Sequence, residues 1–164
     1  MPLISSYMAK KKIEYFFGDI PKNSKILEVG CGSGWAGKYL KDNGWTNCTG
    51  LDISAPADIV GDIHKWKDLG IKKESFDVII AFEFIEHGDF FKEFYEILKP
   101  GGLIMMTSPL PHMDWFMRLL ELLGLNQDRG IPHTHLIYFA DVPYFHPKTL
   151  KIVWWCAQWG MFFK

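Results

Sequence analysis

An apolar run that breaks into a glycine-rich loop and then into a helix constrains this chain more than any other feature. Lys25–Gly30 (KILEVG) reads as a short strand, Glu28-Val-Gly-Cys-Gly-Ser-Gly34 forms the loop at its carboxyl end, and Trp35–Asn43 reads as a helix stopped by Gly44. That order places bare backbone where open α/β sheets hold nucleotide-like ligands. Glycine suits such a loop because any Cβ would push the ligand away.

The remaining elements fit the same plan. Cys48–Asp52 and Phe76–Phe82 (FDVIIAF) read as strands, Asp89–Leu98 as a helix, and Leu103–Thr107 as a strand after the turn Lys99-Pro-Gly-Gly. Near-continuous apolar strands alternating with helices predict a doubly wound, mostly parallel sheet with helices on both faces. With 164 residues, 48% of them apolar, one domain spanning 1–164 is expected. Its N-terminal segment, residues 1–20, holds an amphipathic helix over 5–17, with Lys10, Lys11 and Lys12 read as a solvated face.

Two departures are expected. Only Ile53–Ala57 separates the second strand from Asp58–Gly61, too little for a regular parallel crossover, so that edge strand should be vestigial. Pro147–Trp159 reads as a helix with proline at its first position, followed by a short strand at Met161–Phe163. On that reading the sheet lacks a last antiparallel strand.

Eighteen basic against nineteen acidic side chains give a net charge of −1, which offers no field to hold a polyanion, so no nucleic-acid partner is expected. Three cysteines without a CxxC pair argue against a disulfide framework and a zinc ribbon and fit a cytoplasmic setting. The longest apolar run, Ile152–Phe163, is too short to cross a bilayer, and no membrane partner is expected.

The acids around the loop point to the ligand. Asp52, at the end of the second strand, is placed to accept hydrogen bonds from ribose hydroxyls, which nicotinamide dinucleotides and S-adenosylmethionine (AdoMet) both carry. Glu28 discriminates better, because a carboxylate beside the first glycine suits a cationic sulfonium and repels a pyrophosphate. Asp62 is placed to accept from an adenine amino group, with Ile63 packing on the ring.

Taken in order, these blocks resemble the class I AdoMet-dependent methyltransferases, in the group that includes quinone-pathway and many small-molecule enzymes. Glu28–Gly34 resembles the E/DxGxGxG loop, Leu51–Ser54 the ribose block, Val60–Asp62 the adenine block, Phe76–His87 the FDxVxxxxxxEH block, and Leu98–Leu103 the LKPGG turn. The resemblance implies AdoMet as cofactor, with a pocket lined by Glu28, Gly30, Cys31, Gly32, Gly34, Asp52, Ile53, Asp62, Ile63 and Phe82. It also implies methyl transfer to an O, N or C nucleophile of a small molecule. A non-catalytic AdoMet-binding partner, an RNA or protein methyltransferase and a NAD-binding domain are the competing readings.

Among the side chains after the fourth and fifth strands, His87 is the candidate general base, with a capping or packing histidine in the EH turn as its alternative reading, and Glu83, Glu86, His112, Asp114, His133 and His135 are further candidates. Glu83-Phe-Ile-Glu86-His87 also resembles an ExxEH block that binds metal in certain ubiquinone-pathway and small-RNA methyltransferases. Most relatives with this turn bind none, and no metal is expected. Residues 110–146 are expected to form a lid on the acceptor side, around the apolar helix Met113–Leu125, and nearby aromatics suggest an apolar or aromatic acceptor. Arg118 and Glu121 deny that helix a cationic face, which disfavours a membrane-surface role. A homodimer is expected through the C-terminal edge, with a second copy covering Met161–Phe163 or Trp154, Trp155 and Trp159.

Overall fold

The computed structural model describes residues 3–124, 133 and 135–164. Strand β1 (Ile26–Val29) is buried along its length between β2 (Cys48–Asp52) and β4 (Phe76–Phe82), both parallel to it. Burial on both faces explains why β1 and β4 read as near-continuous apolar runs. On β4, Val78 and Ile80 pack to one side while Ile79 and Ala81 pack to the other.

Helices α1 (Leu3–Phe17) and α2 (Trp35–Asp42) supply Ile13, Phe16, Phe17, Ala36 and Leu40 to the first of these sides. Helix α3 (Phe91–Ile97) supplies Phe91, Phe94 and Ile97 to the other. Each fully buried side chain of this kind contributes about 1.5–3 kcal/mol. The run Lys10–Lys12 is only partly the solvated face expected: Lys10 and Lys11 pair with Glu14 in solvent, whereas Lys12 is buried. Helical spacing explains this, since Lys12 follows buried Ala9 by three residues and precedes buried Phe16 by four.

The sheet has seven strands in the order β3-β2-β1-β4-β5-β7-β6, where β3 is Ile59–Val60, β5 Leu98–Pro109, β6 His146–Val153 and β7 Ala157–Phe163. The doubly wound, mostly parallel architecture is therefore as read from the sequence, and the two-residue β3 is as slight as expected. Its short link to β2 is tied by Asp58 Oδ2, which accepts from the Gly50 N–H at 2.8 Å.

Two expectations fail at the carboxyl end. The segment Pro147–Trp159 is not a helix but most of a hairpin, and the antiparallel strand expected to be missing is β7, inserted between β5 and β6. Thr149, Ile152 and Val153 favour strand over helix by their branched Cβ atoms, and Pro147 sits near the start of an edge strand, where its missing N–H costs no ladder bond. Met161, Phe162 and Trp159 are buried inside the sheet, so they present no edge for a second copy to cover. Trp154 and Trp155 remain exposed at the hairpin tip.

Within the expected lid, helix α4 (Asp114–Leu122) is formed, while residues 125–132 and 134 lie outside the described ones. No helix among the described residues is long and apolar enough to cross a membrane.

Candidate functional site

Strand β1 ends in three left-handed glycines, Gly30, Gly32 and Gly34, with φ of +70°, +49° and +71°. The N–H groups of Gly30 and Cys31 both donate to the Leu51 carbonyl, at 2.8 and 3.1 Å, which folds the loop over the end of β2. A Cβ at Gly32 or Gly34 would meet nothing within 4 Å, so the loop offers an open cradle there. At Gly30 it would instead overlap the ring of Phe84.

Asp52 closes the cradle from the end of β2. Its Oδ2 accepts from the Gly32 N–H at 2.9 Å, and its Oδ1 accepts from the N–H and hydroxyl of Ser54 at 3.1 Å each. Ile53 beside it is 66% exposed. Asp62 caps the single turn Ile63–Lys65 by accepting from the His64 N–H at 3.0 Å. Ile63 itself is 2% exposed and packs into the core among Leu51, Trp66 and Phe90. Of the two isoleucines read as pocket residues, only Ile53 presents its side chain to an open surface.

Glu28 lies behind the loop. It points to the same side of β1 as Ile26, and its Oε2 accepts from the Gly37 N–H of α2 at 2.8 Å. Burial pushes its carboxyl up to about 7, against the opposing pull of that bond and of Lys41. With Cys31, Gly37, Lys41, Cys48 and Asp58 it lines a groove of about 420 Å³ between α2 and the short β2–β3 link. Burial and the nearby acids push the Cys31 thiol to about 11, leaving it a poor nucleophile. Phe82, half-buried, stacks on Phe16 and Trp35 at 5.3 and 6.4 Å between ring centres.

A polar cluster occupies the segment after β4. Glu83, in a left-handed conformation (φ +50°), accepts at Oε1 from Lys12 Nζ at 2.6 Å and from the Thr107 hydroxyl at 2.9 Å. Desolvation raises its carboxyl, but the Lys12 ammonium and these bonds outweigh it and hold the group below its ordinary value. Three residues on, Glu86 is 1% exposed and its Oε2 has no hydrogen-bond partner among the described residues. Burial first, and the Glu83 charge second, push its carboxyl well up.

His133 faces Glu86 Oε1 through Nε2 at 3.8 Å, and its Nδ1 lies 2.6 Å from Asp114 Oδ1 at the start of α4. The His87 and His133 ring centres are 5.5 Å apart. Ligand atoms of Glu86, His87 and His133 all lie within 4.8 Å of one another, a donor set that could hold a divalent cation, with Asp114 orienting His133. Glu83, the first acid of the ExxEH spacing, stands outside that set because Lys12 and Thr107 take its oxygen. His112 is set apart from the cluster, with Nδ1 3.0 Å from the Tyr138 hydroxyl, and His135 meets it through its backbone N–H, which donates to the Glu86 carbonyl at 2.9 Å. Sequence reasoning missed Lys12 and Phe84. The helical period could have singled out Lys12, while nothing local marks Phe84 as the lid of Gly30.

The profile of the methyltransferase-domain family matches residues 4–159. The mouse mitochondrial ubiquinone biosynthesis O-methyltransferase is 28% identical over 129 residues, covering 66% of this chain and 35% of that protein. The 2-methyl-6-phytyl-1,4-hydroquinone methyltransferase of Synechocystis is 30% identical over 130 residues, covering 69% of this chain and 36% of that protein. The chain thus spans about a third of the length of these curated relatives. A SAM-dependent methyltransferase structure from Archaeoglobus fulgidus superposes with a TM-score of 0.65 at 14% identity, over 98% of this chain and 93% of that one.

Proposed function

The chain belongs to the methyltransferase-domain family, in the class I group that uses AdoMet, and on that premise we propose that it methylates a small apolar or aromatic molecule. One observation carries the reading: an open glycine cradle whose rim acid, Asp52, ends the strand next to the loop. A ribose diol needs a carboxylate at that place.

In this reading Gly32 and Gly34 admit the ligand close to the backbone, and Asp52 accepts from its ribose. Asp62 accepts from the adenine edge, and exposed Ile53 covers the ring. Glu28 acts indirectly, by tying α2 to β1 so that the loop keeps its shape. AdoMet, when bound, supplies a methyl group already activated by the sulfonium, so the protein's task is alignment and exclusion of water. His87 takes the proton when the acceptor is a weakly acidic hydroxyl or a protonated amine. The mouse and Synechocystis relatives are named for a quinone and a hydroquinone, which favours an aromatic acceptor here. Phosphoethanolamine N-methyltransferases of Caenorhabditis elegans and Arabidopsis thaliana, 27% and 30% identical, make a small amine the second acceptor class to test.

Calorimetry with S-adenosylhomocysteine tests the cofactor part. Asp52→Ala should weaken binding by roughly tenfold or more, the loss of hydrogen bonds to a charged group. Unaltered affinity would end the assignment. Transfer of labelled methyl groups into an organic-soluble metabolite fraction tests the acceptor class, and His87→Gln should lower that transfer. Binding without transfer into any fraction would favour the non-catalytic reading.

A further inference from the structure

The hairpin that closes the sheet ends in two successive left-handed tryptophans, Trp154 (φ +47°) and Trp155 (φ +51°), with the Cys156 N–H donating to the Val153 carbonyl at 3.3 Å. A turn of this kind ordinarily uses asparagine and glycine, because a bulky side chain strains the left-handed backbone. Here two of the largest side chains accept that strain and are not buried in return: Trp154 is 55% exposed and Trp155 65%. Strain of this sort is retained where a surface is used.

These rings continue an apolar ridge. Phe116 of α4 packs on Trp155 with ring centres 5.1 Å apart, and Trp115, Leu119, Leu122 and Leu123 of the same segment form an outward stripe at helical spacing, with Leu122 85% exposed. Strand β6 runs parallel to the rest of the sheet, since it is antiparallel to β7, itself antiparallel to β5. The tip therefore lies at the carboxyl ends of the strands, on the side where the Glu86–His87–His133 cluster sits.

The edge strand leading to the tip is basic. Lys151 extends over the rings of Tyr15 and Trp159, at 5.2 and 5.9 Å, and Lys148 over Phe163 at 5.4 Å; neither forms an ion pair among the described residues. At the rise of a strand, Lys151 stands roughly 10 Å behind the tryptophans. A lysine stem at that distance can reach towards the headgroup layer while the indoles sit at the interface.

We propose that the Trp154–Trp155 tip and the outer stripe of α4 dock on a phospholipid bilayer carrying anionic headgroups. The indoles enter the interface and Lys151 engages the headgroups, with Lys148 farther back along β6 adding to the positive field, as aromatic anchors flanked by cations do at membrane surfaces. The expectation of no membrane partner weighed the length of the run Ile152–Phe163 and the charges of the apolar helix; the fold adds two tryptophans and two lysines from a hairpin distant in sequence. A second copy is the poorer occupant. Pro147, the two lysines and the register shift between Pro147 and Thr149 all blunt β6 against strand addition. Docking in this pose turns the acceptor side of the site towards the lipid.

Flotation of the full chain with phosphatidylcholine vesicles, with and without phosphatidylglycerol, tests the proposal. The unmodified chain should float with the anionic vesicles and less with the neutral ones. The double variant Trp154→Asn, Trp155→Gly suits the left-handed turn, so its melting temperature should be unchanged or higher while its binding to anionic vesicles falls by roughly tenfold or more. Failure of the unmodified chain to float with either vesicle overturns the proposal, as does a variant that floats equally well. So does a dimer in light scattering that the double variant converts to a monomer, because a second copy would then cover the tip.

Discussion

Lys12 Nζ and Glu83 Oε1 lie 2.6 Å apart, joining the first helix to the segment that leaves the central strand β4. The lysine is buried and the Glu83 side chain is 40% exposed, so solvent screens part of the attraction. Lys12→Met should cost about 1 kcal/mol in urea unfolding at neutral pH, and adding Glu83→Gln should restore most of it. Because Lys12 depresses the Glu83 carboxyl, the pair stabilises the fold above the ordinary value of 4.5 and is lost as pH falls through the folded value. The single variant should therefore lose less stability on acidification than the unmodified chain. Parallel acid profiles would remove this account.

Glu28 has the opposite sign. Its folded carboxyl titrates at about 7 against an ordinary 4.5, so the protonated form is favoured by folding and its contribution disappears as pH rises from 4.5 through 7. Glu28→Gln keeps an oxygen for the Gly37 N–H and cannot ionise. Thermal melting should find the variant close to the unmodified chain at pH 5 and more stable by on the order of 3 kcal/mol at pH 8. A difference independent of pH would show that the buried carboxyl is not the cause.

The glycines of the loop should respond unequally. Gly32→Ala adds a methyl group to open space and incurs only the left-handed strain, about 1 kcal/mol. Gly30→Ala incurs the same strain and also drives the new methyl into Phe84, so about 2–4 kcal/mol is expected. Phe84→Leu in the same chain should recover part of the second cost. Equal losses for the two glycine variants, measured by urea unfolding, would refute the contact.

How far the sequence could be read follows from where burial leaves a signature. Strands β2 and β4 fall where the sequence places them, β4 because residues 78–82 are the unbroken apolar stretch that a strand covered on both faces requires. Asp52 and the glycine loop were legible for a related reason: a sharp reversal after a buried strand requires glycine whatever the ligand. The hairpin β6–β7 was not legible, because β6 is an edge strand exposed nearly throughout and its turn is made by Trp154 and Trp155, residues that give no turn signal. Nothing local in the sequence shows that the Ile63 side chain turns inward after the Asp62 cap. The Asp114–His133 contact joins α4 to a residue beyond the end of that helix and has no local pattern.

The economy of the β2–β3 link has an outcome of its own. With only Ile53–Asp58 spanning the gap, the layer of helices ends at α2, and the outermost strands rest with one side against open solvent. Extra chain spliced in between Pro56 and Ala57 would enter the groove beside α2, so this is the corner where the scaffold can be enlarged while Asp52, Ile53 and Ser54, at the other end of the bend, keep their places.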